Sequence, residues 1–125
     1  MGQGYILDSN VIIDLIGKKL PIQTIEIIGS NYMVSSDISR IEVLGFLISK
    51  LEEESFNSFF NDLQLIGLTE RVVLKSIEIR KFKKIKLGDA IIAATALVHD
   101  LTLITRNLND FKGIEKLKIL DSYQV

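Results

Sequence analysis

The chain has 125 residues, 47% hydrophobic and 25% charged, a balance that excludes a disordered or fibrous segment and suits one compact folded unit. Its formal net charge of -1 excludes a uniformly basic surface, so a nucleic-acid ligand must be met by a local patch or a bound cation. Cysteine is absent and histidine occurs once, at His99, which excludes disulfides, thiol nucleophiles, zinc–cysteine sites and multi-histidine metal centres.

Met1–Asp8 carries no basic region followed by an apolar one, so no signal peptide is expected. No apolar run approaches the ~18 residues of a bilayer span. The expectation is a cytoplasmic protein without a membrane partner. A lone proline, Pro21, and the absence of linkers or repeats point to a single domain over residues 1–125.

In chain order, Tyr5–Leu7 is a short apolar strand, and Asp8-Ser9-Asn10 is a turn of helix-capping residues leading into a helix over Val11–Ile16. Gln23–Ile28 forms a helix stopped by Gly29, and Tyr32–Val34 a second strand. A helix is expected from Ser39 to Lys50 and another over Glu53–Asp62, followed by a strand over Leu63–Leu68. Thr69-Glu70 opens a long helix to Lys83. Gly88-Asp89 opens an alanine-rich helix ending near Asp100, which hands directly to a strand at Leu101–Thr105; Lys118–Leu120 is the last strand. Short apolar strands without in/out alternation imply a sheet covered on both faces, hence an α/β fold with a mostly parallel central sheet of about five short strands.

Ligands of such sheets sit beyond the carboxyl ends of the strands. Asp8 follows the first strand, and Thr105, Arg106, Asn107 and Asp110 follow the strand at 101–105; Asp89 opens a helix, and Glu42 lies one turn into another. Four acidic side chains from distant segments thus reach one rim. Repulsion among them is relieved by a hard divalent cation, which takes oxygen ligands, activates water and offsets charge on a phosphoryl group. With no cysteine and one histidine, oxygen ligation is the metal chemistry this chain offers. Each residue also has a plainer reading: Asp8 and Asp89 as N-caps, Asp110 as a turn residue, Glu42 as an ordinary helix carboxylate. Against the last, Ile41, Val43, Leu44, Phe46 and Leu47 surround Glu42, so its helix is expected to be largely buried.

These same segments carry a family resemblance. Tyr5-Ile-Leu-Asp8-Ser9-Asn10-Val-Ile-Ile resembles the opening strand of PIN domains, and Ser39-Arg-Ile-Glu42-Val-Leu-Gly45 their second motif. Leu87-Gly-Asp89-Ala-Ile-Ile-Ala-Ala is similar to the third, and Leu103-Ile-Thr105-Arg106-Asn107-Leu-Asn-Asp110-Phe111 to the fourth. Together they stand in family order over nearly the whole chain. The resemblance implies a three-layer α/β/α PIN-like fold and a VapC-like toxin of a type II toxin–antitoxin pair. That activity is endoribonucleolytic: hydrolysis of RNA by water activated on one or two Mg²⁺ or Mn²⁺ ions. It assigns the metal to Asp8, Glu42, Asp89 and a fourth ligand, either Asn107 or Asp110. Ser9, Asn10 and Thr105 would order the ligands, and Arg106 would contact a substrate phosphate. A cognate antitoxin and a homodimer are implied as partners.

The run Arg80-Lys81-Phe82-Lys83-Lys84-Ile85-Lys86 is a solvated helix end or, through Lys83, Lys84 and Lys86, a track for RNA. Phe46, Phe56, Phe59 and Phe60 exceed what a small sheet needs to cover and are either core or, in part, a surface for a homodimer or a partner peptide. Asp14 is expected on the solvent side of the first helix, Asp37 as a cap before the next, and His99 as a helix-end or surface residue. The competing function is a catalytically inactive PIN-like module that binds RNA or protein. Phosphatases with a second Asp two residues after the first are disfavoured by Asn10, and no P-loop occurs.

Overall fold

The structure, a computed structural model, describes residues 4–46 and 48–124. The elements run β1 (Gly4–Leu7), α1 (Ser9–Ile16), α2 (Ile22–Ser30), β2 (Tyr32–Ser36), α3 (Asp37–Leu44), α4 (Lys50–Asn61), β3 (Gln64–Ile66), α5 (Glu70–Phe82), α6 (Leu87–Val98), β4 (Thr102–Thr105), α7 (Leu108–Phe111) and β5 (Ile119–Asp121). The five strands pair in the order β3-β2-β1-β4-β5, and every pairing is parallel.

The lack of alternation in the strands has the expected cause. Ile6 and Leu7 are both fully buried, yet they face opposite sides of the sheet. Ile6, Val34 and Leu103 pack with Val72, Ile79 and Ile92 of α5 and α6, whereas Leu7, Met33 and Ile104 pack with Val11, Ile12, Phe56 and Phe60 of α1 and α4. Two cores on one sheet make the three-layer α/β/α architecture. Each fully buried side chain of this kind contributes about 1.5–3 kcal/mol.

Several boundaries differ from the sequence reading. The helix expected over Ser39–Lys50 is two elements. Its first part stops at Leu44, where Gly45 donates its N–H to the Ile41 carbonyl. The next begins after Ser49, whose hydroxyl accepts from Glu52 N–H while the Glu52 carboxylate accepts from Ser49 N–H, a reciprocal capping box. The expectation of a largely buried helix around Glu42 also fails: Glu42 is exposed, and Ile41 and Phe46 are each 66% exposed. Leu47, counted among its apolar neighbours, lies outside the described residues, as do residues 1–3 and 125. Of the four phenylalanines, Phe56 and Phe60 are core, Phe59 packs edge-on against Phe60, and Phe46 faces outward. The direct passage from α6 to β4 is a Schellman turn, with Leu101 N–H donating to Ala96 O and Asp100 adopting φ 52°.

Because β1 has β2 on one side and β4 on the other, the strand order reverses between β1 and β4. The carboxyl ends of these two strands form the crevice where such sheets take ligands.

Candidate active site

Asp8 directly follows β1 and caps α1. Its extended backbone (φ -68°, ψ 155°) lets Oδ1 accept the N–H of Ser9 at 2.8 Å. Oδ2 accepts from Asn10 Nδ2 at 3.0 Å and from Thr105 Oγ1 at 2.7 Å, the second bond crossing the crevice from the end of β4. The register Leu7↔Ile104 puts these two strand ends side by side, and Asp8 N–H donates to Ile104 O at 3.0 Å. Asp8 is 4% exposed. Burial pushes its carboxyl above the ordinary value; the bonds from Thr105, Ser9 and Asn10 pull it back, and the Glu42 charge pushes it up again.

Glu42 reaches the same place from α3. Its Oε1 accepts the Ser9 hydroxyl at 2.6 Å, and Ser9 Oγ lies 3.1 Å from Ser39 Oγ. Its Oε2 lies where a Cβ on Gly88 would come within 2.6 Å, so the Glu42 carboxylate rests on the first turn of α6 beside Asp89. Only a residue without a side chain permits that approach.

Asp89 occupies the first turn of α6 without capping it, since Lys86 holds the cap position and makes no side-chain cap bond. Half-buried, its carboxyl is pushed up to about 6, first by burial and then by the negative charges of Asp8, Asp110 and Glu42, with Lys86 opposing. Asp110 lies in the short α7, exposed, and Asn107 stands at the cap position of that helix without a side-chain cap bond. Asn107 N–H donates to Thr105 Oγ1 at 3.0 Å, so the Thr105 hydroxyl joins Asp8 to the loop that carries Asn107 and Asp110.

Asp8, Glu42 and Asp110, singled out from sequence, thus all lie within electrostatic reach of the fourth, Asp89, and Glu42 within reach of Asp8. Among the described residues, no three acidic or histidine side chains close on a single point as a ready-made ion cage. The donor chemistry nevertheless suits a hard cation. It is all oxygen, the mutual repulsion at Asp89 is only partly offset by Lys86, and Glu42 and Asp110 are exposed side chains with room to swing. His99 sits at the far end of α6 as its C-cap and takes no part.

One expectation needs correction. Asp14 is not on a solvent face: it is 2% exposed and accepts from Arg106 Nη1 and from the Tyr123 hydroxyl. Arg106, the candidate for a substrate phosphate, has that one guanidinium nitrogen tied to Asp14 with its side chain 44% exposed, while its backbone N–H lies 3.5 Å from Asn10 Oδ1. The sequence reading missed Asp14, Gly88 and Tyr123. Asp14 had a signal, because it lies four residues after Asn10 and so shares that residue's face of α1. Tyr123 had none. Asp37 opens α3 behind the cap residue Ser36 and pairs with Arg40 at 3.6 Å on the surface.

Comparison with known proteins bears on the family and the fold. Ribonuclease VapC1 of Rickettsia felis is 31% identical, over 94% of this chain and 95% of that protein. A toxin–antitoxin complex from Klebsiella pneumoniae contains a chain 28% identical, superposing with a TM-score of 0.79 over 97% of this chain and 99% of that one. VapBC-1 from nontypeable Haemophilus influenzae, at 23% identity, gives a TM-score of 0.80 over 95% and 98% of the two chains and attests the fold. The PIN domain family matches residues 5–117, a span that takes in Asp8, Glu42, Asp89 and Asp110 together with all of the strands but the last, and the chain belongs to that family.

Proposed function

We propose that this protein is a divalent-metal-dependent endoribonuclease, a VapC-like toxin that hydrolyses RNA phosphodiester bonds. The observation that carries the reading is the gathering of Asp8 after β1, Glu42 of α3 and Asp110 of α7 about Asp89 at the strand-order reversal. Burial first, and then these three charges, push the Asp89 carboxyl up, and a cation would relieve the negative charge collected there. Similarity to a relative named as a ribonuclease supports the same reading.

Asp8 and Asp89 are the main ligands for Mg²⁺ or Mn²⁺, with Glu42 and either Asp110 or Asn107 completing the set or holding a second ion. When bound, the metal supplies a water of lowered pKa and offsets charge on the phosphoryl group. The remaining work belongs to the chain. Thr105 and Asn10 fix Oδ2 of Asp8, and the Ser9 N–H takes one lone pair of Oδ1, leaving that oxygen a further acceptor site. Ser9 Oγ orients Glu42. Lys83, Lys84 and Lys86 draw the RNA backbone toward Asp89. Arg106 holds the loop through Asp14.

The protein acts as a single domain in the cytoplasm; no helix among the described residues is long and apolar enough to cross a membrane. It works as a homodimer restrained by a cognate antitoxin. The outward-facing Ile41, Phe46 and Leu51 support apolar contacts of that sort, as does the similar chain solved in a toxin–antitoxin complex from Klebsiella pneumoniae. Light scattering that finds only monomer at high concentration would remove the dimer.

The test of activity is incubation with a mixed single-stranded RNA pool and Mg²⁺ or Mn²⁺, beside reactions with EDTA, Asp8→Asn or Asp89→Asn. Cleavage that vanishes in all three controls supports the nuclease. The competing reading is an inactive PIN-like module that binds RNA or protein. Folded protein that neither cleaves RNA nor binds Mn²⁺ by calorimetry would favour it.

A further inference from the structure

Phe82 is the last residue of α5 and, among the described residues, the most exposed large apolar side chain, at 85%. Its helix buries Val72, Ser76 and Ile79 against α6, so the ring has been left outside a core that was available one turn earlier. Five cations and no acidic residue occupy positions 80–86, in a protein whose net charge is -1. Arg80, Lys81, Phe82, Lys83, Lys84 and Ile85 line a hollow of about 420 Å³.

The chain leaves α5 extended at Lys83 (φ -143°, ψ 135°) and enters α6 at Lys86, also extended (φ -64°, ψ 149°). The stretch 83–86 is therefore a short basic strap, spanning at most about 13 Å. At its far end the Lys86 charge is felt at the Asp89 carboxyl. The basic stretch that lines the hollow thus ends, along the chain, three residues before Asp89.

We propose that Phe82 is a stacking platform for one unpaired base of single-stranded RNA, with the flanking lysines holding phosphates on either side; this rests on the ribonuclease reading above. On its other side the ring borders a hollow that holds Glu78 and Glu115 with Lys75 and Lys116, but the side lined by Arg80, Lys81, Lys83 and Lys84 carries only cations and matches a polyanion rather than a neutral protein surface. A ring in a basic groove is the arrangement by which single strands are held without sequence readout. The base on Phe82 lies outside the scissile bond, so the ring acts on binding and not on the chemical step.

The test is fluorescence anisotropy of a labelled, unstructured single-stranded RNA with the full chain in EDTA, where binding is read without cleavage. Phe82→Ala should weaken binding about tenfold, the scale of one base–aromatic stack, with an unchanged thermal midpoint. Phe82→Trp should restore affinity and Phe82→Leu should not. An RNA duplex of equal length should be indifferent to all three. Equal affinity of wild type and Phe82→Ala, full affinity of Phe82→Leu, or no binding of single strands would overturn the proposal. Unchanged RNA affinity with loss of a protein complex would reassign the ring to that partner and overturn it likewise. The two readings fail separately: a chain that cleaves with Mg²⁺ but ignores Phe82 loses only the platform. One that binds as described but never cleaves loses only the nuclease.

Discussion

Arg106 Nη1 stands 3.0 Å from both carboxylate oxygens of Asp14, a residue only 2% exposed. The Tyr123 hydroxyl donates to the same carboxylate at 2.7 Å, and Asp14 holds the phenol proton so well that its pKa is raised. The neighbouring turn adds Ser122 N–H to Thr105 O at 3.0 Å and Thr24 Oγ1 to Ser122 O at 2.5 Å. The end of the described chain is thereby fastened to α1, α2 and the loop that carries Asn107 and Asp110.

Arg106→Ala leaves a buried carboxylate with Tyr123 as its remaining partner. Loss of a hydrogen bond to a charged group costs about 1.5–3 kcal/mol. The lower end applies because the Arg106 side chain is 44% exposed and partly hydrated already. Tyr123→Phe removes one phenolic bond from a solvent-exposed side chain and should cost less than Arg106→Ala. Urea midpoints at constant m-value check the order. A Tyr123→Phe variant as unstable as Arg106→Ala would show that the arginine is not the main support of Asp14.

Thr105→Val keeps the shape of a fully buried side chain and deletes a hydroxyl that donates to Asp8 Oδ2 and accepts from Asn107 N–H. The expected loss is about 1–3 kcal/mol. Because that donor is the leading force holding the Asp8 carboxyl down, its removal should raise the Asp8 pKa further and weaken Mn²⁺ binding at neutral pH. Thr105→Ser should recover most of both. Valine with unchanged Mn²⁺ affinity by calorimetry would detach Thr105 from the metal site.

How far the sequence foretold these contacts depends on where their signals lie. The alternation of short apolar strands with helices gave the sheet and its two covers, because burial on both faces erases the period-two pattern in every strand. Asp8, Glu42 and Asp89 were legible because each sits in a local run of turn, helix and apolar residues. The split between α3 and α4 was written in Ser49 and Glu52 as a capping box, but the apolar residues 46–48 masked it by continuing the helical period. Tyr123 and Asp14 are 109 residues apart, and nothing local in either segment announces the other. Asp14 looked solvated because an acidic residue on a helix usually is; its burial depends on Arg106, whose partner no single-sequence pattern identifies.

Gly88→Ala separates folding from function. The new Cβ would come 2.6 Å from Glu42 Oε2 and 3.2 Å from its Cδ, but Glu42 is an exposed, flexible side chain that can move aside. Stability should therefore stay within about 0.5 kcal/mol of wild type. Displacement of the Glu42 carboxylate should lower metal-dependent cleavage. Adding Glu42→Ala to Gly88→Ala should cost little more, because both changes remove the same carboxylate from the site. Additive losses would mean that alanine at position 88 acts through something other than Glu42.

Asp89 makes stability and metal affinity depend on pH in a defined direction. Its folded pKa, about 6, lies above the ordinary 3.8, so the folded state binds this proton more readily than the unfolded chain. The stability it contributes is complete below pH 3.8 and is lost as pH rises through about 6. In EDTA at neutral pH the ionised Asp89 thus weakens the fold, by no more than about 1 kcal/mol given its half-exposure to screening water. Asp89→Asn should be the more stable protein above pH 6, and the advantage should vanish near pH 4. Mn²⁺ competes with the same proton, so its affinity for wild type should climb as pH rises to about 6 and level off beyond. Calorimetry from pH 5 to 7, with thermal unfolding in EDTA over a wider range, reads both effects. An advantage of the Asn variant that stays constant from pH 4 to 8 would come from packing, and would deny the carboxylate cluster its hold on Asp89.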